Sequence, residues 1–202
     1  LIMGKKIRIG MLGAGRIGKL HGENLAYAVP EADLVAIADP FLNDSIIEWA
    51  KGLGVANCYK EADPIFNDPT IDAVFICSST DTHADYIIQA AKAGKHIFCE
   101  KPIHYDIARI QEALDAVEKA GVKLQVGFVR RFDHNHKAVR DAVASGKLGA
   151  PHVVKVTSRD PGPPPMEYVK VSGGIFMDMM IHDFDMVRYL SGSEVTEVST
   201  YG

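Results

Sequence analysis

Three groups of residues in this 202-residue sequence have the types and spacing to do chemistry. The first is Asp178 and His182, within Gly173-Gly174-Ile175-Phe176-Met177-Asp178-Met179-Met180-Ile181-His182-Asp183-Phe184-Asp185. On a helix these two lie one turn apart on a shared face, and Asp185 continues the stripe. The residues around them are strongly apolar, so a narrow polar face costs free energy there unless it has partners. An imidazole with a pKa of about 6.5 suits removal of a hydroxyl proton at neutral pH. Asp178 would orient that imidazole and stabilise its cation, or hold another substrate hydroxyl. The spacing also fits metal ligation or a satisfied structural pair, and no resident metal is expected.

The second group is Glu100-Lys101-Pro102, directly after an apolar strand-like run. Proline fixes the backbone and the lysine projects from the strand end. A lysine so placed hydrogen-bonds a substrate hydroxyl and stabilises developing alkoxide charge. A plain surface lysine is the alternative.

The third group is Gly13-Ala14-Gly15-Arg16-Ile17-Gly18, which fits G-x-G-x-x-G between a strand and a helix. The first glycine permits a tight turn, the second lets backbone approach a pyrophosphate, and the third lets helix pack close to strand. Free N–H groups at the helix N-terminus then face the phosphates. Asp39 closes the second strand, where a carboxylate accepts from the adenosine ribose hydroxyls and repels a 2′-phosphate. No Lys or Arg lies between Pro40 and Glu48 to offset that repulsion, so NAD is expected over NADP. The alternative is that Asp39-Pro40 only makes a turn. Within Ser78-Ser79-Thr80-Asp81-Thr82-His83, Ser79, Thr80 and His83 are expected near the cofactor, with Glu100 and Lys101. Asp81 or Thr82 could instead cap the following helix.

The elements that must carry these groups alternate. Strands are expected at 7–12, 34–38, 73–78, 96–99 and 123–127, and helices at 17–28, 45–53, 83–93 and 107–120. Strands apolar on both faces and separated by helices indicate a parallel sheet covered on both sides, a doubly wound α/β Rossmann domain over residues 3–128. After Gly127 the pattern changes: a helix at 135–145 ending at Gly146, a strand at 152–158, the breaker Asp160–Pro165, a helix from Gly173-Gly174 to Leu190, and a strand at 195–200. Residues 129–202 therefore read as the first part of an α+β open-sheet domain, incomplete because strand, helix and strand do not close a covered sheet.

A net charge of −4 with scattered basic residues argues against nucleic acid as a main partner. No apolar run approaches the roughly 18–20 residues of a membrane span. Cys58, Cys77 and Cys99 make an odd count without C-x-x-C spacing, which fits free thiols in a reducing cytoplasm.

With these residues in view, the chain resembles the Gfo/Idh/MocA oxidoreductase family, and within it the inositol dehydrogenases. The resemblance rests on GAGRIG at 13–18, EKP at 100–102, GFVRRFD at 127–133 and GGIFMDMMIHDFD at 173–185. It implies Lys101, Asp178 and His182 as catalytic residues. It further implies a substrate-contacting arginine at Arg131, or at the adjacent Arg130, and a polar substrate contact at Asp160. It also implies a polyol substrate, inositol before scyllo-inositol or glucose, and a homo-oligomer, dimer or tetramer. A non-catalytic NAD- or sugar-binding regulator is the rival from another class.

Overall fold

The computed structural model describes residues 5–159, 161–170 and 172–201, with the side chains of Glu167 and Tyr168 left aside. The chain divides into two compact units, Leu1–Gly127 and Phe128–Gly202. Among the described residues no helix is long and apolar enough to cross a membrane.

The first unit is built on six strands: β1 (Ile7–Leu12), β2 (Ala32–Ala38), β3 (Asn57–Tyr59), β4 (Ala73–Ile76), β5 (His96–Cys99) and β6 (Leu124–Val126). They pair in the order β3-β2-β1-β4-β5-β6, every pair parallel. Alternate residues of a strand point to opposite faces, so a strand apolar throughout feeds two cores. Met11 and Ile37 face one of these, with Leu25 of α1 (Arg16–Tyr27) and Ile46 and Ala50 of α2 (Asp44–Gly52). Leu12, Val74 and Ile76 face the other. That core is completed by Ile65 of α3 (Asp63–Asn67), Ile87 of α4 (Thr80–Lys92) and Ala113 of α5 (Ile107–Ala120). Asn43 caps α2 by accepting from the Ile46 N–H, and Asp106 caps α5 by accepting from that of Ala108.

β3 and α3 escaped the sequence. β3 has three residues, Asn-Cys-Tyr, none of them buried, and pairs only with β2 at the sheet edge. α4 starts at Thr80 rather than His83, because Thr80-Asp81-Thr82 winds into its first turn.

The second unit contains a 3-10 turn at Val129–Phe132, α6 (His134–Ala144) and the short α7 (Met166–Val169). A π-wound turn, Phe176–Met180, then leads into α8 (Ile181–Ser191), which ends at Gly192 in the left-handed region. The side chain of Asp133 caps α6, and α8 packs against α6. The strands expected at 152–158 and 195–200 are corrected: among the described residues neither segment pairs with another. Alternation sets which side chains share a face, but a strand exists only where a neighbour takes its N–H and C=O groups. Val153 and Val198 stay in solvent, at 85% and 78% exposure.

Candidate active site

The order of the parallel sheet reverses between β1 and β4, and ligands of such sheets collect there, outside the carboxyl ends of the strands. The three glycines of the first turn do different things at that point. Gly13 has φ +95, and a Cβ on it would stand 2.6 Å from the carbonyl oxygen of Cys77. A Cβ on Gly18 would stand 2.1 Å from the carbonyl oxygen of Gly13. Both positions are glycine because the protein's own backbone passes there. Gly15 has φ −70, and nothing lies within 4 Å of where its Cβ would be. Its bareness serves no internal contact and suits a ligand that must touch backbone. Gly15 also opens α1 with no side-chain cap, and no acid lies in the first turn. Uncapped N–H groups beside an open glycine are what a pyrophosphate requires.

Asp39 holds the turn together through both carboxylate oxygens. Its Oδ2 accepts from the Ala14 N–H at 2.7 Å and its Oδ1 from the Phe41 N–H at 2.8 Å, so it pins the glycine turn to the end of β2. Each carboxylate oxygen has capacity for a second bond, so ribose hydroxyls remain compatible with this geometry. Lys60, just past β3, lines a small crevice with Gly13, Pro40 and Ser78. Nothing in the sequence pointed to this cation, because β3 was not recognised.

Beyond β4, Ser79 is exposed and Thr80 half-buried. Thr82 does not cap α4: its hydroxyl donates to the Ser79 carbonyl at 2.7 Å and contacts the Ser78 hydroxyl. His83 is 1% exposed, with Nδ1 2.7 Å from the Pro102 carbonyl and Nε2 3.0 Å from the Ser78 carbonyl. Glu100 is also buried; its Oε1 lies 2.7 Å from Nε2 of His21, and its Oε2 accepts from the Lys101 N–H at 3.3 Å. His83 and Glu100, expected near the cofactor, are thus both buried against protein partners. Lys101 itself is half-buried, beside a cis peptide to Pro102.

In the second unit, Asp178 lies in the π-wound turn and His182 in the first turn of α8, both half-buried. The His182 ring meets that of Phe128 edge-on, with centroids 6.5 Å apart. Asp178 lines a cavity of about 460 Å³ with Pro163, Pro164, Ser172, Ile175 and Met179, among others. The other two acids of the motif are elsewhere engaged. Asp183 pairs with Arg130, which also reaches the Ser158 hydroxyl at 3.3 Å. Asp185 takes both Nε and an Nη of Arg131, at 2.8 and 2.6 Å, and both acids are buried. Asp185 thus leaves the candidate stripe. Arg131, expected to contact substrate, has two donor nitrogens committed to Asp185, and that bond holds its guanidinium above the ordinary pKa. Asp160 lies outside the described residues. Among the described residues no cluster of ligating side chains could hold a metal ion. All three cysteines are free; burial pushes the Cys77 and Cys99 thiols well above their usual range.

The sequence pattern of an oxidoreductase family with an NAD-binding Rossmann fold matches residues 7–128, and that of the GFO/IDH/MocA C-terminal domain matches residues 136–202. The chain belongs to the GFO/IDH/MocA oxidoreductase family. This family member is 50% identical to the myo-inositol 2-dehydrogenase of Thermotoga maritima, over 97% of this chain and 58% of that protein. Its structure matches a crystal structure from Thermotoga maritima with TM-score 0.89 at 50% identity, covering 93% of this chain and 56% of the other. It also matches the scyllo-inositol dehydrogenase of Lactobacillus casei, solved with bound NAD(H) and scyllo-inositol. There the TM-score is 0.81 at 36% identity, covering 93% of this chain and 57% of that one. The chain spans a little more than half the length of these relatives.

Proposed function

We propose that this GFO/IDH/MocA protein oxidises a ring hydroxyl of inositol, myo-inositol giving the 2-keto product, with NAD as the oxidant. The observation that carries the reading is the sorting of charge around α8. Asp183 and Asp185 are buried on arginines, while half-buried Asp178 faces a cavity of about 460 Å³ one turn from His182. That volume falls in the range of about 300–1,000 Å³ usual for small-molecule sites. The 50% identity to a myo-inositol 2-dehydrogenase supports the substrate class.

The turn at Gly13–Gly18 and the uncapped end of α1 would hold the cofactor's pyrophosphate, Asp39 a ribose, and Ser79 and Thr80 the neighbouring hydroxyls. NAD, when bound, supplies the hydride acceptor for the carbinol C–H. His182 takes the proton of the reacting hydroxyl, and Asp178 orients the imidazole and stabilises its cation. Lys101 hydrogen-bonds the reacting oxygen, where charge develops as the O–H proton leaves. Arg131 acts on substrate only through the orientation of α8, by way of Asp185.

A panel of cyclic polyols with NAD and then NADP, followed by absorbance of the reduced cofactor in the whole protein, tests the reading. Myo-inositol with NAD should turn over best. Scyllo-inositol is the second reading, supported by the likeness to the Lactobacillus casei enzyme; glucose and related sugars complete the panel. His182→Ala and Lys101→Ala should each lower turnover by about 10²–10⁴-fold and leave NAD binding intact. Full turnover in either variant removes the assigned role, and no turnover of any polyol favours the regulator. We further propose a cytoplasmic homo-oligomer, for which light scattering of the whole protein is the check.

A further inference from the structure

Lys101 carries the proposed chemistry, and the residues on either side of it are each held by a histidine. Before it, Glu100 meets His21 of α1, 79 residues away in sequence, at 2.7 Å. The His21 ring is mostly buried, edge-on to Phe75 and Phe98 with centroids 6.1 and 5.0 Å away. On another side of Glu100, a Cβ at Gly127 would stand 3.0 Å from its carboxylate, so the group is confined. After Lys101, the Pro102 carbonyl meets Nδ1 of His83 in α4, while Nε2 of the same ring meets the Ser78 carbonyl at the end of β4.

Both His83 contacts are carbonyl oxygens, so each needs an N–H from the ring. A neutral imidazole serves one of them at a time, and the imidazolium serves both. Burying such groups is expensive unless their hydrogen bonds are made, and an apolar side chain would fill either place without that requirement. Four polar side chains are buried among the described residues of the first unit: Asp39, His83, Lys95 and Glu100. Lys95 donates to the Asp68 and Ile71 carbonyls, and Asp39 to no group but accepts from the glycine turn. The remaining two bracket Lys101.

We propose that His21 and His83 are positioning residues for Lys101, clasping its chain neighbours so that the ammonium is presented in one place. The inference rests on the role given to Lys101 above. Misplacement of a reacting group by about 1 Å can cost on the order of 10²-fold in rate, which is the scale on which such clasps act.

The test uses the whole protein with His21→Phe, His83→Leu and the conservative His83→Gln, each alone and combined with Lys101→Ala. NAD affinity is read by titration, folding by thermal unfolding, and the chemical step by single-turnover formation of reduced cofactor at saturating myo-inositol. His21→Phe and His83→Leu should each slow the step by about 10- to 100-fold. NAD affinity should stay within about threefold, since neither ring touches the glycine turn. His83→Gln, which keeps an N–H donor, should recover part of the loss and carries the test if His83→Leu fails to fold. In the Lys101→Ala background the histidine substitutions should cost nothing further, because there is no ammonium left to place. Unchanged rates in both histidine variants, with Lys101→Ala slow, overturn the clasp and leave the function standing. So does an undiminished histidine effect in the Lys101→Ala background. Full turnover by Lys101→Ala removes the role given to Lys101, and the clasp falls with it, whereas no turnover by the unsubstituted protein removes the function reading itself.

Discussion

The unit at Leu1–Gly127 buries Met11, Ile37, Val74, Ile76, Ile87 and many more apolar side chains on both faces of its sheet. The unit at Phe128–Gly202 buries, among the described residues, one apolar side chain, Met186, and two carboxylates, Asp183 and Asp185. The first is held by area removed from water, at roughly 25 cal/mol per Å². The second has arginine–aspartate pairs at its centre, and these hold direction more than they add stability. The lesson is that the two regions hold their polar groups in place by different means. A phosphate cradle needs backbone shape, which apolar packing fixes; along α8 two acids are neutralised instead by arginines.

The largest expected effect tests the charged centre. Arg131→Ala leaves Asp185 buried without its guanidinium and should lower stability by about 3 kcal/mol. Arg131→Met with Asp185→Leu should recover most of that in thermal unfolding, and a double variant no better than the single one would break the contrast. Next is the cradle. Gly18→Ala drives a methyl into the Gly13 carbonyl and should cost roughly 2 kcal/mol together with NAD binding. Gly15→Ala should leave the melting point within a degree or so and weaken NAD binding alone; equal destabilisation by both would show that Gly15 serves packing. The smallest effect is at Asp39→Asn, which keeps one acceptor for the turn. Stability should fall by about 1 kcal/mol, as for a lost cap. With Lys60 lining the crevice beside Ala38 and Pro40, the preference for NAD over NADP should shrink by about tenfold, the work of one screened charge, read from the ratio of kcat/KM values.

What was legible in the sequence follows from the same contrast. β1, β5 and α5 lie where the apolar runs put them, because such runs set their own boundaries. The glycine turn was legible because its demands are local to a few residues. β3 was not, being a half-buried edge of three residues. The apolar alternation at 152–158 and 195–200 spoke of a face, and no partner strand meets either segment among the described residues. At the site, Lys101, Asp178 and His182 were read from type and spacing. The roles of Asp183 and Asp185 were not, since several acids on one helix look alike until Arg130 and Arg131 choose among them. His21 gave no signal, and His83 was read as a cofactor neighbour and not as a partner of Pro102: their partners are 79 and 19 residues distant, a closeness the sheet order creates.

That distance has a consequence for how the protein is made. Gly13 and Ala14 leave the ribosome before the segments they depend on: their turn takes its form from Asp39 and from the Cys77–Ser78 backbone, and α1 is fastened at Glu100. Parallel pairing of distant segments is slow compared with helix formation. The cradle therefore stands unfinished while most of the first unit is being synthesised, and it closes only when β4 docks beside β1 and β5 beside β4. Capture of the cofactor by a growing chain would then report that the sheet is complete, well after its glycines have been read.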